Sequence, residues 1–193
     1  KSKYFYDCLL TIKALRPLKQ EEYWIEYLNM NGIDFNKTYC MKIKNIPDKK
    51  IAEFNFKVIN NILPCNANLV KWKKRESSKC DICGQEEDVQ HLLYECVYAQ
   101  TIWKEISDIM GIDISIQDLI IGSRLTCIDN FFISLAAFLI YKNWLIPSLN
   151  GSKRRSKSSL QIIVPDLRFR YNVYRSLNWI AICNTISMVL ESA

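Results

Sequence analysis

Apolar positions along this chain recur three and four residues apart, the spacing of a helix face and not of a strand. In residues 3–15 the stripe is Tyr4, Cys8, Leu9, Ile12 and Leu15, and Pro17 stops it. Residues 20–29 carry Trp24, Tyr27 and Leu28 on one side with Gly32 as the stop, and 35–43 form a third helix. Pro47 opens the next, since proline suits the first helical turn. Ile51, Phe54, Val58, Ile59 and Ile62 give it a core face, and Pro64 closes it. Asn68 to Trp72 is one further turn. Ile116 to Ile121 reads as a short helix with Ser115 as its N-cap. Residues 128–146 read as a long buried helix ending at Pro147, a polar loop covers 150–159, and a last helical region runs from Pro165 to Leu190. There is no internal repeat and no strand-rich stretch. The fold class is mainly α: a helical bundle.

One segment breaks this rhythm. Residues 80–96 hold Cys80-x2-Cys83-x7-His91-x4-Cys96, and His91 is the single histidine of the chain. Three thiolates and an imidazole are the ligand set of a closed, tetrahedral, structural zinc site, which leaves no open position for water and so argues against metal catalysis. A Cys-x2-Cys turn aims both sulfurs at one metal, and Gly84 follows it where the turn needs positive φ. Gln85, Glu86, Glu87 and Asp88 read as a solvated loop, and Cys80–Glu86 is the place for a small hairpin. His91 and Cys96 lie five residues apart, about 140° around a regular helix. Both can reach one metal only if the helix is irregular there. A short helix is therefore expected from near Asp88, a break near Cys96, and a second helix through Trp103. The bundle thus gains a small zinc-stapled Cys3His insert with one structural Zn2+.

Composition narrows the class. At 193 residues the chain can bury a full core, and 49 % hydrophobic content with 5 glycines and 5 prolines describes a folded, helix-rich chain. It begins at Lys1, so a piece of something larger is expected. Of the eight cysteines, Cys8, Cys40, Cys65, Cys127 and Cys183 lie singly, which reads as reduced and intracellular and not as a disulfide framework. The most apolar run, Phe131 to Tyr141, falls short of the roughly 20 residues a membrane span takes. Three regions are expected: residues 1–46, a zinc-binding unit over 47–109, and a helical region over 110–193, with 47–193 as one domain the alternative.

The net charge of +6 permits nucleic-acid contact, and its distribution says more than the sum. Lys71, Trp72, Lys73, Lys74, Arg75 and Lys79 precede the zinc segment, cations interleaved with a ring that can stack on an unpaired base. The alternative is a solvated helix end with Trp72 anchored in the core. Lys153, Arg154, Arg155 and Lys157 form a second patch among serines, either a phosphate contact or a solvated loop. Arg168, Arg170 and Arg175 alternate with Phe169, Tyr171 and Tyr174, where core packing of the rings is expected. No Asp-Asp pair suggests a two-metal polymerase centre, no free imidazole can serve as a base, and no Gly-rich phosphate loop occurs.

From Pro47 to Trp103 the chain resembles the zinc-binding domain downstream of the reverse transcriptase in non-LTR (LINE-type) retrotransposon polyproteins. The resemblance is carried by Pro47 with Phe54 and Phe56, by Asn61-Ile62-Leu63-Pro64, by Cys80-Asp81-Ile82-Cys83-Gly84, by Glu86-Glu87-Asp88, by His91-Leu92-Leu93-Tyr94-Glu95-Cys96, and by Trp103. Val97 departs from it, since the family often has proline after the last cysteine. The resemblance implies Cys80, Cys83, His91 and Cys96 as zinc ligands. It also implies a non-catalytic segment that grips the element's RNA and the target DNA during target-primed reverse transcription, in the cytoplasm and nucleus. The basic residues are inferred from charge alone. The other reading is an architectural module that docks on the polymerase core of the same polyprotein.

Overall fold

The computed structural model describes residues 19–122, 124–149 and 160–192. The expected helix over 3–15 and the patch Lys153, Arg154, Arg155 and Lys157 lie outside them. Helices fill most of the rest, and the described residues hold no strand.

The centre is α7, Cys127–Leu149. It is apolar on all sides, the pattern of a helix buried all round, and Phe132, Ile133, Leu135, Ala136 and Ile140 are fully buried. Thr126 caps its start by accepting the Asp129 N–H at 3.1 Å while its hydroxyl donates to the Asp129 carboxylate at 2.7 Å. The helix continues two residues past Pro147. A proline in the last turn removes one N–H without costing the helix its whole ladder, so it is a weaker stop than the sequence suggests.

Before α7 in the chain come α1 (Lys19–Leu28), α2 (Phe35–Tyr39), α3 (Lys49–Ile59), α4 (Asn66–Lys71), α5 (Val97–Met110) and α6 (Ile116–Ile120), of which chiefly α3 and α6 pack directly on it. A π-turn, Cys40–Lys44, extends α2, and Ser115 caps α6, as expected, with Asp118 completing a reciprocal box. The last helical region is not one helix. A 3-10 turn, Leu160–Ile162, leads into α8 (Val164–Ser176), which folds back on α9 (Ile180–Ser192). Buried side chains from Trp24 to Val189 make one continuous core.

Helix ends follow a rule the sequence hid. Asn29, Asn61, Lys73 and Asn178 take left-handed φ of 48–59° just past a helix. Behind each, the next N–H bonds back five residues, as in Met30 to Ile25, Ile62 to Lys57, Lys74 to Leu69 and Trp179 to Tyr174. These are Schellman caps, and asparagine tolerates the conformation where glycine is usual. So α1 stops at Asn29, three residues before Gly32, and Asn178 breaks 165–190 in two. Asn61 ends α3 before Pro64, which turns Ile62 outward, 43 % exposed and off the core face assigned to it. No helix among the described residues is long and apolar enough to cross a membrane.

Candidate metal centre

The first half of the tetrad is a turn. Gly84 has φ +75°, and its N–H donates to the Cys80 carbonyl at 2.9 Å. The Cys80 N–H donates to Gln85 at 2.7 Å, and Lys79 bridges Glu86, so the expected hairpin is a single bridge.

The second half solves the five-residue problem. Asp88 caps the helical stretch, accepting the His91 N–H at 2.8 Å. From His91–Glu95 the chain then winds as a π-turn. The Cys96 N–H donates to the His91 carbonyl at 2.8 Å, an i to i+5 bond, and Cys96 turns to ψ 137°. One wide turn therefore returns residue i+5 to the side of residue i. The wide turn is held open by Trp103, whose indole N–H donates to the Leu93 carbonyl at 2.7 Å. The expected irregularity at Cys96 is present, and Val97 starts α5 without needing proline.

The ligand atoms of Cys80, Cys83, His91 and Cys96 all lie within 4.8 Å of one another. Cys80 Sγ is 3.8 Å from Cys96 Sγ, and Cys83 Sγ is 3.2 Å from His91 Nε2. A tetrahedron with zinc–sulfur bonds of about 2.3 Å has sulfur–sulfur edges of about 3.8 Å and sulfur–nitrogen edges of about 3.6 Å. Cys80, His91 and Cys96 are buried and Cys83 is partly so. The hydrogen bond with Cys96 pulls the Cys80 thiol down to about 3 against burial, helped by the N–H groups of Cys83 and Ile82. The same contact, with burial, pushes Cys96 up. Three sulfurs and one imidazole nitrogen gathered at these distances are a donor set that fits zinc. Zinc held by Cys80, Cys83, Cys96 and Nε2 of His91 would supply a cross-link between turn and helix.

Glu87 corrects the sequence reading. Gln85 and Glu86 are exposed, but Glu87 is 0 % exposed. Its Oε1 accepts the Asn66 N–H at 3.1 Å and its Oε2 accepts the Trp144 indole N–H at 3.0 Å. Its own N–H donates to Ser78 and its carbonyl accepts from Ala67, each at 2.9 Å. One carboxylate thus joins the loop to the start of α4 and to α7. Helix α1 braces the other side: Gln90 donates to Tyr23, and Tyr27 donates to Glu95. Spacing singles out neither Glu87 nor Tyr23 and gives Tyr27 only as part of an apolar stripe; Trp144 at the core's centre, an indole needing an acceptor, was the available signal.

The basic run sits on this frame. Lys71, Lys73, Lys74 and Lys79 are exposed, and Trp72 is 44 % exposed, so Trp72 is not a core anchor. Arg75 is partly buried and pairs with Asp81 at 2.6 Å, which ties the run to the cysteine turn. Among the non-glycine Schellman caps of the described residues Lys73 is the one that is not asparagine, a strained place for a lysine. In the third cluster Arg170 pairs with Asp48 and lies over Phe138, and Tyr174 is buried with its hydroxyl donating to Asp48. Phe169, expected in the core, is exposed, as are Arg168 and Arg175.

No curated protein and no solved structure matches the chain. Residues 19–103, from α1 through all four cysteine and histidine donors to Trp103, match the family model described as zinc-binding in reverse transcriptase. This part of the chain is similar to the zinc-binding region associated with reverse transcriptases, a binding domain and not a catalytic one.

Proposed function

We propose that this chain is a non-catalytic, zinc-bound, nucleic-acid-binding segment of a non-LTR retrotransposon reverse transcriptase polyprotein. It engages the element's RNA and the target DNA in target-primed reverse transcription, working in the cytoplasm and nucleus beside the polymerase core. The observation that carries the reading is the exposed face of Lys71, Trp72, Lys73 and Lys74, tied to the tetrad through Arg75 and Asp81. Zinc, when bound, is a cross-link and presents no open coordination position. The chain's own residues do the rest: lysines meet phosphates, the indole meets a base, and Glu87 keeps the loop seated on the bundle.

The test is binding of the zinc-loaded chain to a labelled structured RNA and a DNA duplex between about 50 and 200 mM salt. Each lysine on a phosphate contributes about −0.9 to the slope of log affinity against log salt for duplex DNA. Lys73→Gly with Lys74→Ala should flatten the slope by about 2, and glycine suits the left-handed position so the cap survives. Binding that ignores salt, or no binding from a folded zinc protein, refutes the reading.

One observation favours docking on the polymerase core instead. Ile128, Leu177 and Ile180 are exposed around Trp179, beside an open cleft of about 500 Å³. Association through that face would resist salt.

A further inference from the structure

We infer that the cleft between α1 and the C-terminal end of α4 takes an unpaired nucleotide, so that this surface prefers single-stranded nucleic acid to duplex. The inference rests on the nucleic-acid reading above and adds the form of the ligand and the residues that receive it.

The cleft is open and about 350 Å³, a size that suits one nucleotide. Lys19 and Tyr23 line it from α1, Lys71 and Trp72 from α4, and Asn61 and Ile62 from the turn after α3. Trp24, Trp103 and Trp144 are buried and Trp179 stacks on Tyr174, whereas Trp72 presents its ring to solvent with Ile62 exposed in the same cleft. An apolar ring beside an exposed aliphatic chain, with a lysine on each wall, matches a base lying on the indole and its phosphates on the ammonium groups.

The floor and the backbone of the α4 wall are fixed before any ligand arrives. Asn68 Nδ2 donates to the carbonyls of Asn61 at 3.1 Å and Leu63 at 2.8 Å, which locks the floor. The Trp72 backbone is held by its N–H on the Asn68 carbonyl at 2.9 Å and by the Schellman cap behind it. Asn60 Nδ2 is occupied by the Phe56 carbonyl at 2.8 Å, so the amides placed to meet a base edge are those of Gln20 and Asn61. A prepared site loses less entropy on binding. In a duplex stacking hides the faces of a base and pairing hides its Watson–Crick edge, so only an unpaired nucleotide can lay its face on the indole.

The test compares the zinc-loaded chain on oligo-U, oligo-dT and a DNA duplex, each of about 12 nucleotides or base pairs, at one salt concentration. The parent should bind both single strands more tightly than the duplex. Trp72→Ala should weaken the single strands about 5- to 150-fold, the range for one stacked base, and leave duplex affinity and the salt slope unchanged. Trp72→Phe should restore most of the loss. Tighter binding of oligo-U than oligo-dT would assign the site to RNA, the reverse to DNA, and either supports the cleft. Equal binding of strand and duplex, or a Trp72→Ala change that is silent or that weakens duplex equally, overturns the inference. If that happens while Lys73→Gly with Lys74→Ala still lowers binding to all three, the nucleic-acid reading stands and only the cleft falls. No binding to any of the three overturns both.

Discussion

Replacing Glu87 by glutamine should loosen the zinc loop from the bundle while leaving the shape of the core intact. Both carboxylate oxygens accept, one from the Asn66 amide that opens α4 and one from the Trp144 indole in α7. Glutamine offers one acceptor oxygen and turns an NH2 group toward the other donor. One charge-assisted bond, worth about 1.5–3 kcal/mol, becomes a donor facing a donor, and the second falls to the neutral range of about 0.5–1.5 kcal/mol. The expected loss is about 2–4 kcal/mol in urea unfolding of the zinc-loaded chain. Trp144→Phe strips that donor from the carboxylate instead and should cost about 1–3 kcal/mol. Because the two residues share the bond, the double variant should lose less than the sum, by about 1 kcal/mol or more. Zinc affinity, read by competition with a chelator, should fall with Glu87→Gln, since the loop that presents Cys80 and Cys83 is no longer seated. A Glu87→Gln protein within about 0.5 kcal/mol of the parent, or strict additivity with Trp144→Phe, would refute the reasoning.

Other outcomes follow from the same physics. Lys42 is fully buried, its ammonium meets no acceptor, and burial lowers it from 10.5 to about 7 against the pull of Asp118. Below pH 7 it is charged in both states and the folded state bears the whole penalty. Between 7 and 10.5 the folded chain releases the proton first, so stability rises with pH by about 1.4 kcal/mol per unit from this group. Lys42→Met should therefore stabilise the protein most near pH 6.5 and progressively less toward pH 9 in melts of both proteins; a constant or widening gap would contradict this. Gly122→Ala should cost more than about 2 kcal/mol by urea unfolding, because φ is +68° and the new Cβ would lie 1.9 Å from Asn130 Oδ1. Lys73→Gly should hold stability or raise it by up to about 1 kcal/mol, as it relieves a left-handed lysine, and a marked loss in the same assay would show that Lys73 carries a contact of its own.

The helices and the donor set were legible in sequence for one reason each. Apolar residues at three- and four-residue spacing reported the face of α3, an apolar run reported the buried α7, and a single histidine among spaced cysteines reported the tetrad. What stayed hidden was whatever departs from the regular helix. The π-turn at His91–Glu95 reconciles a five-residue spacing with one metal, and a 3.6-residue period can only flag that spacing as a conflict. Asn29, Asn61 and Asn178 end helices by left-handed caps, a property of the fold's closure that the nearby Gly32 and Pro64 obscured. Glu87 sits in a run of acidic residues that looks solvated, and only the approach of Asn66 and Trp144 from distant helices makes it buried. For Trp72 the sequence allows both a stacking ring and a core anchor, and the end of α4 turns it outward.

The central claim is that Cys80, Cys83, His91 and Cys96 together hold one zinc ion, and that this ion fixes the segment bearing the basic face. Zinc-edge X-ray absorption on the purified chain tests it most directly. The account predicts one zinc per chain with three sulfur neighbours at about 2.3 Å and one nitrogen at about 2.0–2.1 Å. Cys96→Ser should remove one sulfur from that shell or abolish the zinc altogether. A shell with oxygen from water, two sulfurs and two nitrogens, or no bound zinc in a folded chain would contradict it.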